Sequence, residues 1–249
     1  MILTSYLRKA ANLLRRRARI RDLRSEFLRF QSMSAANSRF PLTWESRHLC
    51  IDDNTVGTDF DAHYTYHPAW AARILAQTMP AEHVDISSIL SFSSVVSAFI
   101  PIRFYDYRPA NLRLDNLTSE SADLLALPFA SESVSSLSCM HTVEHIGLGR
   151  YGDPLDPDAD LKAVAELKRV LAPGGSLLFV VPIGKPQIMF NAHRIYSYEQ
   201  VTHYFSELAL REFCLIPDNA SQVGMVRNAT KDQADAQSYG CGCFWFERN

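Results

Sequence analysis

Glycine is scarce in this sequence, ten residues in 249, and residues 85–94, after the first expected strand, where a nucleotide-cradling loop usually places its glycines, have none. Cysteine is sparse as well. Cys50, Cys139, Cys214, Cys241 and Cys243 make an odd count without framework spacing, which reads as reduced thiols of a cytoplasmic protein. Long apolar runs are missing: the longest, residues 177–183, falls far short of the roughly 18 residues of a membrane-spanning helix. A secretory leader core is not found, because Arg8, Lys9 and Arg15 to Arg17 interrupt the N-terminal apolar residues. Internal repeats and low-complexity tracts do not occur. With 47% apolar and 21% charged residues, the composition is that of an ordinary folded domain and excludes a disordered, collagen-like or coiled-coil chain.

The formal net charge of -2 hides an asymmetry. Residues 1–30 hold nine basic and two acidic side chains, a net of +7, so the remaining 219 residues carry -9. Leu3, Leu7, Ala10, Leu14, Ile20, Leu23, Phe27 and Phe30 recur near the helical period, which predicts a basic amphipathic helix over residues 2–30. Three roles fit it: packing on its own domain or a second subunit, peripheral contact with an anionic inner membrane surface, or phosphate binding. Nucleic acid is the least expected partner, since the rest of the chain is acidic and lacks a reading motif. The expected division is a helical arm, 1–40, and one domain, 41–249.

Beyond the connector the pattern alternates. A helix is expected over 70–77, begun by Pro68, then a strand at 83–87, helix at 95–99, and strands at 102–106 and 134–140. Asp160 is expected to cap the next helix, which Pro173-Gly174-Gly175 stops. Residues 176–183 are apolar on both faces, as in a strand between two helical layers. A helix at 199–205 and strands at 210–216 and 243–247 complete an open, doubly wound, mostly parallel α/β sheet. Ligands of such sheets bind beyond the carboxyl ends of the strands, which singles out the segments around Asp85, Asp106, Asp123 and residues 140–145.

Asp106 ends the second strand, where a carboxylate can take two hydroxyls of a ribose; alone, an Asp before a Tyr-Arg-Pro turn is more often only a turn former. Three further segments follow in order: Ala122-Asp-Leu-Leu-Ala-Leu-Pro-Phe129, Met140-His-Thr-Val-Glu-His-Ile146, and Glu166-Leu-Lys-Arg-Val-Leu-Ala-Pro-Gly-Gly175. Their order and spacing resemble the class I S-adenosylmethionine-dependent methyltransferases over roughly residues 80–185. Tyr105-Asp-Tyr-Arg-Pro109, Glu144-His-Ile-Gly-Leu-Gly-Arg-Tyr-Gly-Asp-Pro154 and Phe190-Asn-Ala-His-Arg-Ile-Tyr196 resemble more closely an uncharacterised methyltransferase-like domain family of bacteria and nematodes, over nearly everything after residue 45.

The resemblance implies a seven-stranded Rossmann-like sheet with an N-terminal helical extension, and S-adenosyl-L-methionine as cofactor. Carried over by position, Asp85 would lie under the methionine amino group and Asp106 would take the ribose hydroxyls. Tyr107 would lie against adenine, Asp123 with Leu124 would bind its amine edge, and Met140 and His141 would line the sulfonium. The superfamily's glycine-rich loop is replaced by Asp85-Ile-Ser-Ser-Ile-Leu-Ser, in which Ser87 and Ser88 would take over contacts to the cofactor. The same departure fits a site that has lost its cofactor.

Methyl transfer to a hydroxyl gains from a general base, a task that suits histidine near neutral pH. His145 is the first candidate, oriented by Glu144, and His141 the second; a scaffold role for either is the alternative. The loop from Gly147 to Asp153 is an expected wall for the acceptor, with Arg150 and Arg194 as clamps for a phosphate or carboxylate. Tyr151, Asp153, Asn191 and His193 are candidates for bonding sugar hydroxyls, and an internal lock is the alternative for the arginines. His141-Thr-Val-Glu-His145 also matches an inverted zincin pattern, but that motif needs a helix and here it follows a strand, so no metal is assigned. Cys241-Gly-Cys243 is too cramped for paired ligands and is read as packing. The expected activity is methylation of a small polar or glycan-type acceptor, with a catalytically silent binding module as the alternative.

Overall fold

The computed structural model describes residues 2–34 and 39–249. The chain divides into two compact units, residues 1–59 and 60–249. In the first, α1 (Ile2–Ser34) is one continuous helix that outruns the expected span by four residues. Arg19 pairs with Glu26 at 2.9 Å along it, and Trp44 folds back edge-on to Phe27 at 5.1 Å, with the Arg24 and Arg47 guanidinium groups over its ring. Among the described residues no helix is long and apolar enough to cross a membrane.

The second unit opens with α2 (Ala62–Thr78), which starts six residues before Pro68. Asp61 caps it by accepting from the Tyr64 backbone N–H at 3.1 Å, and Pro68 sits inside the helix instead of beginning it. Then follow β1 (His83–Ile86), α3 (Leu90–Val96), β2 (Ile102–Asp106), β3 (Leu117–Ser121) and β4 (Val134–Met140). A 3-10 turn over Val143–His145 leads to α4 (Ala159–Val170) and the long β5 (Leu171–Ile183). A small hairpin of β6 (Gln187–Met189) and β7 (His193–Ile195) precedes α5 (Tyr198–Tyr204) and β8 (Ala209–Ile216). The chain closes with α6 (Ala220–Val223), β9 (Val226–Arg227), α7 (Lys231–Asp235) and β10 (Gly240–Glu247).

The main sheet has the order β3-β2-β1-β4-β5-β10-β8-β9. Strands β3 through β5 are parallel, and β10 inserts antiparallel between β5 and β8. There are eight strands, not seven, because the two-residue β9 adds an edge beside β8. Winding runs outward from β1 to β3, then returns to β4 on the other side, so the carboxyl ends of β1 and β4 frame the switch point where ligands enter such sheets.

β5 explains its own unbroken apolarity. Leu177, Phe179, Val181 and Ile183 join the core on one face of the sheet, and Leu178 and Val180 join the other. At the start of α4 the cap position belongs to Asp158, and the Asp160 carboxylate is turned inward. It accepts from the Tyr196 hydroxyl at 3.0 Å and lies 3.6 Å from the Arg194 guanidinium, so it ties α4 to β7.

Candidate functional site

Two hollows meet at the switch point. The first, of about 370 Å³, opens over the ends of β1, β2 and β4. That size falls within the roughly 300–1,000 Å³ of small-molecule sites. The chain reaches it through two sharp bends, because Ser87 after β1 and His141 after β4 both adopt left-handed backbone, with φ of 55° and 56°. A small residue suits such a bend, and Ser87 stands there where the glycine of a nucleotide loop would stand. Its N–H donates to the Tyr105 carbonyl at 2.7 Å, and the Thr142 hydroxyl donates to the Ser87 carbonyl at 3.2 Å, which clasps the two bends together.

Asp106, Tyr107, Asp123 and Leu124 all line this first hollow, with Ile86, Leu125 and Ile146 supplying apolar wall. One oxygen of Asp106 accepts from the Arg108 N–H at 2.6 Å, and one of Asp123 from the Leu125 N–H at 2.8 Å. These Asx turns hold each carboxylate near its strand end, and among the described residues no group hydrogen-bonds the second oxygen. Arg108 and Arg150 lie over the Tyr151 ring at 4.7 and 5.1 Å, and Tyr151 lines both hollows.

Asp85 does not reach either hollow. It is fully buried below them, where the Ser138 hydroxyl donates to it at 2.6 Å and the Ser93 hydroxyl also donates. Ser138 in turn contacts His83 Nε2 at 2.9 Å, and His83 Nδ1 contacts Ser136 at 2.7 Å. Since Ser138 spends its proton on Asp85, His83 donates through Nε2 and accepts from Ser136 through Nδ1. Burial pushes the Asp85 carboxyl up to about 6 and the His83 imidazole down to about 3.

The second hollow, of about 400 Å³, adjoins the first across Ser87, His141, His145 and Tyr151. Ser88, Met140, Glu144, Arg150 and His193 line it, as do Tyr64 from α2 and Tyr239 before β10. Glu144 is fully buried between two histidines, 2.8 Å from His141 Nδ1 and 3.8 Å from His145 Nε2. Burial raises its carboxyl, but the hydrogen bond from His141, the charges of His141 and His145 and a backbone N–H together outweigh it, so the group is held below the usual range. His145 Nδ1 lies 2.7 Å from the Ala192 carbonyl, which only accepts, so Nδ1 carries the proton and Nε2 presents a lone pair. His193 is pushed down, first by burial and then by His145, and its Nε2 has no partner.

The acceptor-wall residues are divided. Arg194 is buried, and its guanidinium donates to the Ile146 and Pro157 carbonyls at 2.6 and 3.1 Å, which makes it a lock between loops and leaves it outside both hollows. Asn191 is exposed in the hairpin and lines neither hollow. Asp153 lines the first hollow, but it gathers the backbone N–H groups of Gly147 at 2.7 Å and Tyr151 at 3.1 Å and so shapes the loop. Arg150 is exposed and donates to the Ala192 carbonyl at 3.1 Å. Sequence reasoning missed Tyr64, Tyr239 and Arg108, together with His63, His67 and Cys241 below the second hollow. The spacing of His63 and His67, one helical turn apart, was the available signal.

The comparisons agree with this architecture. A 1,6-didemethyltoxoflavin-N1-methyltransferase of Burkholderia thailandensis, solved with 1,6-didemethyltoxoflavin and S-adenosylhomocysteine, is similar at a TM-score of 0.51 and 10% identity, over 74% of this chain and 78% of that one. A Bacillus halodurans protein assigned as a methyltransferase gives 0.51 at 14% identity, over 73% and 98%. A Galdieria sulphuraria protein assigned as a sarcosine dimethylglycine methyltransferase gives 0.50 at 13%, over 73% and 84%. The fold is therefore that of the class I S-adenosylmethionine-dependent methyltransferases. The family model described as Caenorhabditis protein of unknown function, DUF268, matches residues 128–210, which takes in the motifs at Glu144 and Phe190 and leaves out the one at Tyr105. No curated protein matches the sequence.

Proposed function

We propose that this chain is an S-adenosylmethionine-dependent methyltransferase whose first hollow takes the adenosyl group and whose second admits a small polar or glycan-type acceptor. The observation that carries the reading is the pair of carboxylates, Asp106 and Asp123, turned from consecutive segments toward one apolar-walled hollow, each with an oxygen to spare. Asp106 would bind the ribose diol, Asp123 and the Leu124 backbone the adenine edge, and Tyr107 the adenine face. Ser87 and Ser88 would stand along the methionine end, and Met140 with His141 beside the sulfonium. Asp85 would act from below, tying β1 to β4 and α3 through the hydroxyls of Ser138 and Ser93.

When bound, S-adenosylmethionine supplies an electrophilic methyl group and a neutral thioether as leaving group. The protein's work is alignment, exclusion of water and removal of one proton. His145 lines both hollows, and its Nε2 would accept the acceptor's hydroxyl proton as the new oxygen–carbon bond forms. Glu144 steadies the resulting imidazolium, and the Ala192 carbonyl holds the ring in its productive tautomer. Arg150, His193, Tyr151 and Tyr239 supply hydrogen bonds suited to a polyhydroxylated acceptor.

Incubating the purified chain with S-adenosylmethionine and a panel of hydroxylated small molecules should release S-adenosylhomocysteine with at least one of them. His145→Ala should stop that release and keep S-adenosylhomocysteine binding. A chain that binds neither form of the cofactor would instead be the silent binding module.

A further inference from the structure

Behind the second hollow, three donors from distant parts of the chain come together. They are His63 in the first turn of α2, His141 after β4, and Cys241 in β10, whose ligating atoms all lie within 4.8 Å of one another. We propose that they form a binding site for a divalent ion of the zinc class; the inference does not rest on the methyltransferase reading, although His141 also lines both hollows.

The donor set is chemically specific. Two imidazoles and one thiolate suit zinc and disfavour magnesium or calcium, which take oxygen ligands. Arms of about 2.1 Å to nitrogen and about 2.3 Å to sulfur set a tetrahedral edge of roughly 3.5 Å between such donors. His141 Nε2 and Cys241 Sγ stand 3.3 Å apart, close to that edge. The His141 ring is held as a ligating histidine is held: Nδ1 donates to the buried Glu144 at 2.8 Å, which leaves the Nε2 lone pair facing the sulfur. His63 lies nearly parallel to His141, with ring centroids 5.6 Å apart, and is half-buried, so an ion has a way in from the surface.

A second observation points the same way. His67, one turn beyond His63, is fully buried and donates through Nδ1 to the His63 carbonyl at 2.7 Å. Its Nε2 therefore carries a lone pair, and that atom has no hydrogen-bond partner. The ring packs edge-on to His141 with centroids 5.0 Å apart, so a buried, unmatched acceptor group borders one of the three ligands. Water could not restore such a lone pair without its own partners, whereas a cation beside it can. The remaining oxygen of Glu144, also buried and unpartnered, adds negative charge to the same neighbourhood. Binding would exchange the Cys241 thiol proton for the metal–sulfur bond and release that proton to solvent.

The full chain, grown with zinc and purified without chelator, should hold one zinc per molecule by elemental analysis. After stripping, titration with Co²⁺ should raise a thiolate-to-cobalt charge-transfer band, and zinc uptake should release a proton. Cys241→Ser should abolish the band, and His63→Gln, at a half-exposed helix position, should cost at least about tenfold in zinc affinity. His203→Ala, an exposed histidine on α5, should change neither. A folded wild-type chain that neither retains nor takes up zinc at micromolar concentration would overturn the proposal, as would a cobalt complex without the thiolate band. Because the wild-type titration stands alone, poor folding of the Cys241 variant would not rescue a negative result.

Discussion

The two hollows share a wall at Ser87, His141, His145 and Tyr151, yet they are made in opposite ways. The first is lined by short segments that follow consecutive strands, and its carboxylates are each half-satisfied by their own backbone. The second draws its lining from α2, the turn after β4, the small hairpin and the segment before β10, and it leaves Glu144 Oε2 and His193 Nε2 without partners. A site whose polar atoms are locally pre-set suits one invariant ligand. A site with unmatched buried atoms can be completed by a bound polar molecule, which in the proposed reading is the acceptor.

The sharpest way to break that contrast is to remove the proposed base from the wall that both hollows share. His145→Ala should lower turnover about 10²–10⁴-fold, the usual worth of a general base, and change S-adenosylhomocysteine affinity less than about threefold. Equal loss of binding and turnover would make His145 a scaffold residue of the first hollow.

Next comes Asp85, the carboxylate that lies under the site without lining it. Its folded state keeps a proton that the unfolded chain, at the ordinary 3.8, gives up. Stability from this group is therefore complete below about pH 4 and lost as pH rises through about 6, by roughly 3 kcal/mol. In urea denaturation, Asp85→Asn should gain on wild type by about that amount across the window. A difference that stays flat with pH would show that Asp85 titrates normally.

Asp106→Ala is expected to cost about 1.5–3 kcal/mol of cofactor affinity, one charged hydrogen-bonding group, with folding stability nearly unchanged. Calorimetric binding and thermal melts of the same preparation separate the two effects. Gly147→Ala should destabilise the loop that both hollows lean on by about 1–3 kcal/mol, since φ there is +77° and a Cβ would meet the Asp156 carbonyl oxygen at 2.1 Å. A melt within a degree of wild type would contradict the tight packing of that loop. Tyr151→Phe should have the smallest effect, because the ring beneath the Arg108 and Arg150 guanidinium groups survives and only a hydroxyl is lost; a large rise in KM would assign that hydroxyl to the acceptor.

The first hollow was largely legible in the sequence because its parts are local. Asp106 ends the apolar strand β2, Asp123 lies two residues beyond β3, and the turns of both are written in the residues just after them. β2 and β4 could be delimited from apolar runs, whereas β3 could not, since Leu117-Thr-Ser-Glu-Ser121 is polar and mostly exposed at the sheet edge. Asp85 was recognisable as an acid ending β1, but only coordinates place Ser93 and Ser138 against it. Arg194 announced a cation without announcing the carbonyls that consume it. The second hollow was illegible for the same reason: nothing local in Tyr64, His193 or Tyr239 says that they will meet. Pro68 also hid the first turn of α2 and with it His63.

Titration calorimetry of the full chain with S-adenosylhomocysteine tests the central claim most directly. Saturable one-to-one binding that weakens in both Asp106→Ala and Asp123→Ala is the expected result. A folded chain that gives no binding heat at millimolar ligand, or binds equally well without those two carboxylates, would contradict it.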